Sequence, residues 1–328
     1  MAKETLDNLP DDIENGLKVF CGSSHPQLAE DICGWLDIPL GETLIDRFAT
    51  DNIYVQIKEN VREKDVFVVQ TASPPVSEHL MELFLMIDAL KHASARRVTA
   101  VMPYYAYVRS DKKDAPRISV AARLVADLLE AAGTDRLLTM NLHSEQIQGF
   151  FQVPADHLTA VPLLCDYFAE RLEDNNYVVV SPDAGSAKRA GSYAERLQLP
   201  LAIGDKRRTG SAGHDVSIDH VVGEVEGRNI IIFDDEIATA SSMMELIKCL
   251  REKYNVGKIY AGAAHGLLVG RAIQRIAEAD LEQVVVTDSL PLPPEKQHPK
   301  IVQVSVAKLL ASAICAIHTG ESVSALFR

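Results

Sequence analysis

The sequence predicts an α/β protein built on open, mainly parallel sheets, and three observations carry that expectation. Short β-branched runs alternate with amphipathic helical stretches from one end of the chain to the other. Several of those runs are apolar without a period of two, the pattern of strands buried on both faces of a parallel sheet. The chain is 328 residues long and 47% hydrophobic, enough for one large or two medium domains with buried cores.

Strands are expected at Leu17–Gly22, Val66–Thr71, Arg97–Tyr104, Leu137–Leu142, Tyr177–Asp183, Pro200–Ile203, Asn229–Asp235, Lys258–Ala264 and Gln283–Asp288. Helices fill the intervals. Ser77–Ala93 puts Leu80, Leu83, Phe84, Ile87 and Leu90 on one face. Ser119–Ala132 opens on a serine suited to capping and has Gly133 just beyond its end. Further helices are expected at Leu158–Leu172, Gly185–Leu197, Ser242–Tyr254, Arg271–Ala279 and Ala307–His318. No low-complexity linker divides the chain, but the strand–helix series restarts near Pro154–Ala160. That sets an expected boundary between residues 1–157 and 158–305, with the helix over 306–328 packing back on the first part.

Composition narrows the function. Acidic residues outnumber basic ones, 46 to 33, giving a net charge of −13. A nucleic-acid partner is not expected, because phosphate neutralisation along a backbone needs a basic face. Small phosphorylated ligands stay open, since they need only a local cluster of cations and N–H groups. Cys21, Cys33, Cys165, Cys249 and Cys315 are scattered, with no C-x-x-C pair, which argues against a disulfide framework and a thiolate zinc site. Met1–Gly16 is acidic and lacks the pattern of a secretory signal, and no apolar run reaches the length of a membrane span. A cytoplasmic protein with no membrane partner is expected.

The strongest motif is Ile230-Ile231-Ile232-Phe233-Asp234-Asp235, followed by Glu236-Ile237-Ala238-Thr239-Ala240-Ser241-Ser242. A buried strand ends on two acids, and a loop of small residues then runs into a helix. Adjacent carboxylates at a strand tip repel unless hydroxyls or a cation lie nearby. The small side chains of Ala238–Ser242 let N–H groups wrap a phosphate at the following helix N-terminus. The plainer reading of the same residues is an acidic turn with a serine cap. The pattern resembles the ribose-phosphate loop of type I phosphoribosyltransferase-like folds, in which the two acids hold ribose hydroxyls and the loop holds the 5-phosphate.

A second constellation selects a branch of that fold. The segments Arg97–Arg109, Thr139–Phe151, Ser181–Gly185, Asp205–Arg208 and Gly320–Phe327 resemble the ribose-phosphate pyrophosphokinase (phosphoribosyl pyrophosphate synthetase) family, in order and over almost the whole chain beyond Leu17. The resemblance implies two type I phosphoribosyltransferase-like domains, each an open mainly parallel sheet flanked by helices. The N-terminal one binds nucleotide and the C-terminal one ribose phosphate. It implies transfer of the diphosphoryl group of ATP to the 1-hydroxyl of ribose 5-phosphate, with Mg2+, giving phosphoribosyl pyrophosphate and AMP.

Residue by residue, it implies that His143 and Asp183 serve the metal or its water shell, and that Lys206 and Arg208 act on the transferring phosphoryls. Asp234 and Asp235 are implied to hold the ribose, and Thr239, Ala240, Ser241 and Ser242 the 5-phosphate. Phe48 and Arg109 are implied to stack on or flank the adenine, with Asp51, Asn52 and Ser110 beside them. A homo-oligomer built from dimers, up to a hexamer, is implied as well. Read alone, each of these residues has a plainer role: a turn histidine, a solvated basic turn before a Gly/Ser-rich mobile segment (Thr209–Gly213), a core Phe, a surface Arg.

The chain departs from the family pattern at several points. Ala49-Thr50-Asp51-Asn52 replaces a usual Ser-Asp-Gly-Glu, and Ser110 a usual Gln. Ala238 replaces the third Asp of the phosphate loop, Ser241-Ser242 its Gly-Thr, and Asn141 an Asp beside the histidine. The first two changes predict altered nucleotide discrimination. A non-catalytic member that tunes a synthetase complex is the main alternative, and the retained Lys206 and Arg208 weigh against it. A phosphoribosyltransferase would explain Asp234–Ser242, but not the runs around His143 and at Gly320–Phe327.

Overall fold

The computed structural model describes residues 16–173, 176–209 and 215–327. They form two units with separate sheets: one runs to Thr159 and takes in Ser289–Pro291 and the chain from Ser305, and the other comprises Ala160–Asp288 and Leu292–Val304.

The first unit runs through β1 (Leu17–Cys21), α1 (Pro26–Leu36), a hairpin of β2 (Thr43–Arg47) and β3 (Ile53–Ile57), and β4 (Asp65–Val69). It continues through α2 (Val76–His92), β5 (Arg97–Met102), α3 (Ala121–Ala132), β6 (Arg136–Met140) and β7 (Ala155–Leu158). Its sheet is parallel throughout, in the order β1-β4-β5-β6-β7. Every residue of β4 is buried, which is why the run shows no alternation.

The start of α3 differs from expectation. The helix begins at Ala121 behind Val120, and no side chain caps it, so Ser119 does not act as its N-cap. Its end is as the sequence suggests: Gly133 adopts φ 104°, and its N–H bonds back to the Leu129 and Glu130 carbonyls. Helix α1, the hairpin and β7 had no counterpart among the expected elements. The signal for α1 is present in retrospect: Pro26 in its first turn and Leu28, Ile32 and Leu36 buried along one face.

The second unit follows with α4 (Val161–Ala169), β8 (Tyr177–Ser181), α5 (Ala187–Leu197), β9 (Leu201–Thr209), β10 (Asp215–Val222), β11 (Asn229–Ile237) and α6 (Ser241–Lys253). Then come β12 (Ile259–Gly266), α7 (Ala272–Glu278), β13 (Gln283–Thr287) and β14 (Ile301–Val304). The sheet order is β10-β9-β8-β11-β12-β13-β14, antiparallel only between β10 and β9. The strand expected to stop at Ile203 continues to Thr209, so Lys206 and Arg208 lie within a paired strand, opposite Ile218 and Val216. Partner strand β10 runs antiparallel to β9 through this stretch, with a shift in register between Ile218 and Val221. The mobile segment expected over Thr209–Gly213 lies, beyond Thr209, outside the described residues.

The last helix, α8 (Ala307–Thr319), belongs to the first unit and packs along α1. A buried ion cluster ties its end to the sheet. Asp65, with no side-chain exposure, accepts from Arg97 Nε at 2.8 Å and pairs with His318 Nδ1 at 2.8 Å, and Arg97 Nη2 donates to the Ile317 carbonyl at 2.9 Å. Burial pushes the Asp65 carboxyl up, but the bonds from His318 and Arg97 outweigh it and hold the group below the usual aspartate range. No helix among the described residues is long and apolar enough to cross a membrane.

Candidate active site

Strand β11 lies between β8 and β12, parallel to both, so residues at its carboxyl end face the crevice where open α/β sheets bind ligands. Its apolar Ile230–Phe233 are buried in the core, and Asp234 and Asp235 follow at once. Asp235 is buried, with Arg189 Nη2 3.4 Å from its Oδ1. Asp234 Oδ1 accepts from the Asp235 N–H at 2.9 Å and from Ser186 Oγ at 3.2 Å. Burial and the neighbouring Asp235 charge push the Asp234 carboxyl well above the usual aspartate range. Such a pair is relieved by added hydroxyl donors or by a cation.

Beyond Ile237 the chain turns sharply. Ala240 adopts φ 59°, a left-handed conformation uncommon outside glycine, and stands as the N-cap of α6. Thr239 and Ser241 hydroxyls lie 2.9 Å apart, and the first N–H groups of α6 have no intrahelical carbonyl to bond. The small residues Ala238–Ser242 thus form a loop with hydroxyls and N–H groups at a helix N-terminus, suited to an anionic group.

Asp183 follows β8 in the same unit. Its Oδ1 accepts from the Ser186 N–H at 3.0 Å and its Oδ2 pairs with Lys206 Nζ at 3.1 Å. Burial raises its pKa, yet the Lys206 ammonium and Ser186 outweigh burial and keep it below the usual range. Gly204 is what lets β9 come this close: a Cβ there would stand 2.8 Å from the Pro182 carbonyl oxygen. Ser186 therefore bridges Asp183 and Asp234, and Asp183, Lys206, Asp234 and Asp235 share one connected network. Arg208 pairs with Val216 through its backbone.

The network holds Ser186 and Arg189, which the sequence analysis did not name. Both lie at the start of α5 at a three-residue spacing, behind Asp183-Ala184-Gly185, and that run entering a helix was the available signal. Arg275, which donates to the Thr239 carbonyl at 2.6 Å, had no such signal, being 36 positions away in sequence.

The expected nucleotide residues lie in the first unit. Phe48, 56% exposed, begins the hairpin turn and packs edge-on against Tyr54 with ring centroids 5.4 Å apart. The turn closes through the Asp51 N–H to Phe48 O at 2.8 Å and the Phe48 N–H to Asn52 O at 2.9 Å. Asp51 pairs with Arg47 at 3.0 Å, and the Asn52 amide donates to Thr50 Oγ1 at 3.2 Å. Arg47 also pairs with Glu78 in the first turn of α2, next to Ser77, whose hydroxyl lies 3.4 Å from Tyr107 Oη. Arg109 is exposed after that tyrosine, and Ser110 closes the turn with its N–H on the Tyr107 carbonyl at 2.9 Å.

His143, in the first unit, stands two residues past Asn141, whose φ of 44° places it in the left-handed region that Asn and Asp tolerate best. The Leu142 N–H donates to His157 Nε2 at 2.9 Å, which holds the turn before His143. Asp183 belongs to the second unit. Among the described residues no group of three or more His, Cys, Asp or Glu side chains gathers to hold a metal ion.

Fold and site together define a two-unit α/β protein with an acid pair and an anion-suited loop at the ligand end of a parallel sheet. Comparison with known proteins makes this specific. The N-terminal domain of ribose phosphate pyrophosphokinase matches residues 17–133, and the phosphoribosyl synthetase-associated domain matches residues 211–328. The chain is 50% identical to a ribose-phosphate pyrophosphokinase of Deinococcus radiodurans over 95% of this chain and 98% of that one. It is 46% identical to that of Bacillus caldolyticus, over 96% and 99% of the two chains. The crystal structure of phosphoribosylpyrophosphate synthetase from Mycobacterium smegmatis superposes with a TM-score of 0.88 at 40% identity, covering 93% of this chain and 99% of that one. The chain belongs to the ribose-phosphate pyrophosphokinase family.

Proposed function

We propose that the protein is an enzyme that transfers the diphosphoryl group of ATP to the 1-hydroxyl of ribose 5-phosphate, giving phosphoribosyl pyrophosphate and AMP. The observation that carries the reading is the crowded pair Asp234–Asp235 leading directly into the loop Ala238–Ser242. An acid whose pKa is raised by burial and by a neighbouring carboxylate calls for hydroxyl donors, and a ribose supplies them while its 5-phosphate reaches the loop.

In this reading Asp234 and Asp235 orient the sugar diol, and Thr239, Ala240, Ser241 and Ser242 hold the phosphate. Lys206 and Arg208 neutralise charge that builds on the transferring group. Phe48 and Arg109 flank the base of ATP, with Asp51, Asn52 and Ser110 at its edge. The donor chemistry fits Mg2+: Asp183 offers hard carboxylate oxygens, and the raised Asp234 pKa marks a place where added positive charge is stabilising. His143 and Asp183 would hold the ion or its water, and the ion would supply charge neutralisation at the phosphoryl oxygens. A cytoplasmic homo-oligomer built from dimers, up to a hexamer, is part of the same proposal. Leu124 and Leu128, exposed four residues apart on α3, support a subunit contact.

The test is to incubate purified protein with ribose 5-phosphate, ATP and Mg2+ and to separate the products. AMP and phosphoribosyl pyrophosphate should appear in equal amounts without orthophosphate. ADP as the nucleotide product would make the protein an ordinary kinase and overturn the proposal.

A further inference from the structure

The loop Ala238–Ser242 is oriented by a segment that takes no part in the chemistry proposed above. Three successive carbonyls are engaged from the segment after β12: the Leu268 N–H donates to Ile237 O at 3.1 Å, the Val269 N–H to Ala238 O at 2.8 Å, and Arg275 Nη1 to Thr239 O at 2.6 Å. In a trans peptide the carbonyl and the N–H of the next residue point in opposite directions. Tying down the carbonyls of Ile237, Ala238 and Thr239 therefore turns the N–H groups of Ala238, Thr239 and Ala240 each away from the donor on its own peptide. The chain then enters α6, so that these N–H groups run on into those of the helix's first turn.

The three donors are not equivalent. Leu268 and Val269 act through their backbones, just beyond the end of β12. Only the third is a side chain, that of Arg275 in the last turn of α7, whose bond to the loop is exposed to solvent. It grips the peptide next to Ala240, whose φ of 59° is disfavoured for alanine, so local preference does not hold that peptide in place. A charged donor on a carbonyl is among the stronger hydrogen bonds.

We propose that Arg275 is a positioning residue for sugar-phosphate binding, acting through the Thr239 carbonyl to aim the loop N–H groups at the 5-phosphate. The inference rests on the reading of Ala238–Ser242 as the phosphate cradle. Arg275→Met in the full-length protein should speed hydrogen exchange of the 238–242 amides without any ligand present. It should also weaken ribose 5-phosphate binding about tenfold, the loss of roughly one such bond. The KM for ATP and kcat at saturating sugar phosphate should stay close to wild type. Arg275→Lys, which keeps a charged donor, should recover most of the affinity.

Weakened binding with unchanged amide exchange would mean that the guanidinium attracts the phosphate directly, and the positioning role would be wrong. Faster exchange with unchanged binding would overturn it too, since the orientation would then not matter to the ligand. Ser241→Asp separates the underlying reading: a carboxylate placed in the cradle should abolish ribose 5-phosphate binding. Unaltered affinity in that variant would show that the phosphate sits elsewhere, and the role of Arg275 would fall with it.

Discussion

Asp65 and Asp234 are both aspartates of parallel strands, one at the head of β4 in the first unit and the other near the tail of β11 in the second. Burial disfavours the charge of each. At Asp65, Arg97 and His318 meet the carboxylate, and its pKa falls. At Asp234 the neighbour is another aspartate, and its pKa rises. The first arrangement is complete in itself and serves to fasten α8. The second leaves two carboxylates crowded together, a repulsion that the ribose hydroxyls proposed above would relieve. The difference between the structural acid and the one proposed to bind ribose lies in the company each keeps.

The largest expected effect comes from breaking the satisfied acid. Asp65→Ala should destabilise the first unit by about 3–5 kcal/mol, because Arg97 loses its buried partner. Urea unfolding followed by a probe in that unit gives the number. A loss below about 1 kcal/mol would remove the contrast with Asp234.

Next comes the group assigned to the reaction. Lys206→Ala should lower kcat roughly 100-fold while changing the KM for ribose 5-phosphate little, since its contact strengthens only as charge moves to the leaving group. Asp235→Ala should instead raise that KM. Equal turnover in wild type and the lysine variant would favour a non-catalytic member of the family.

The two aspartates should also show opposite pH dependence. Above the ordinary aspartate value near 4, unfolded Asp234 has lost a proton that the folded state still holds. Its effect is therefore to lower stability as pH rises from there towards the raised folded pKa. Asp65 does the reverse: its contribution is present above the ordinary value and is lost as pH falls through its depressed folded pKa. Asp234→Asn should then raise the thermal midpoint at pH 8, on the order of 2–4 °C for each kcal/mol relieved, with the gain shrinking towards pH 4. A midpoint difference of constant size from pH 4 to 8 would be incompatible with a raised Asp234 pKa.

The smallest expected effect concerns the nucleotide. Asp51 gives one oxygen to Arg47 in an exposed pair, and the Asn52 amide nitrogen bonds Thr50. Asn52 and Ser110 stand where the family usually has Glu and Gln, so no dedicated partner for the adenine amine stands in this turn. Preference for ATP over GTP in kcat/KM should therefore stay below about a thousandfold. Asn52→Glu combined with Ser110→Gln should sharpen it by about 1–3 kcal/mol. Steeper discrimination in the wild type would show that another group reads the base.

Much of this was legible in the sequence because it is local. Buried parallel strands announce themselves as unbroken apolar runs, so β4, β8, β11 and β13 were placed within a few residues of their ends. Weaker patterns went unread: the exposed hairpin of β2 and β3, the four-residue strands β7 and β14, and β10, whose pairing with β9 recast Lys206 and Arg208 as strand residues. The acid pair and small-residue loop could be read because strand, acids and helix start are consecutive. The cap expected at Ser119 failed because the chain enters α3 through Val120, a choice that propensity alone does not make.

The sequence by itself determined the α/β class, the course of the main strands, and which acids and small residues end β11. Only the tertiary structure decided which charges are answered. Arg97 and His318 converge on Asp65 from 32 and 253 positions away. Ser186 joins Asp183 to Asp234, and Arg275 reaches the Thr239 carbonyl across 36 positions. A carboxylate's pKa and a peptide's orientation depend on neighbours within a few ångströms, and sequence separation does not encode that distance.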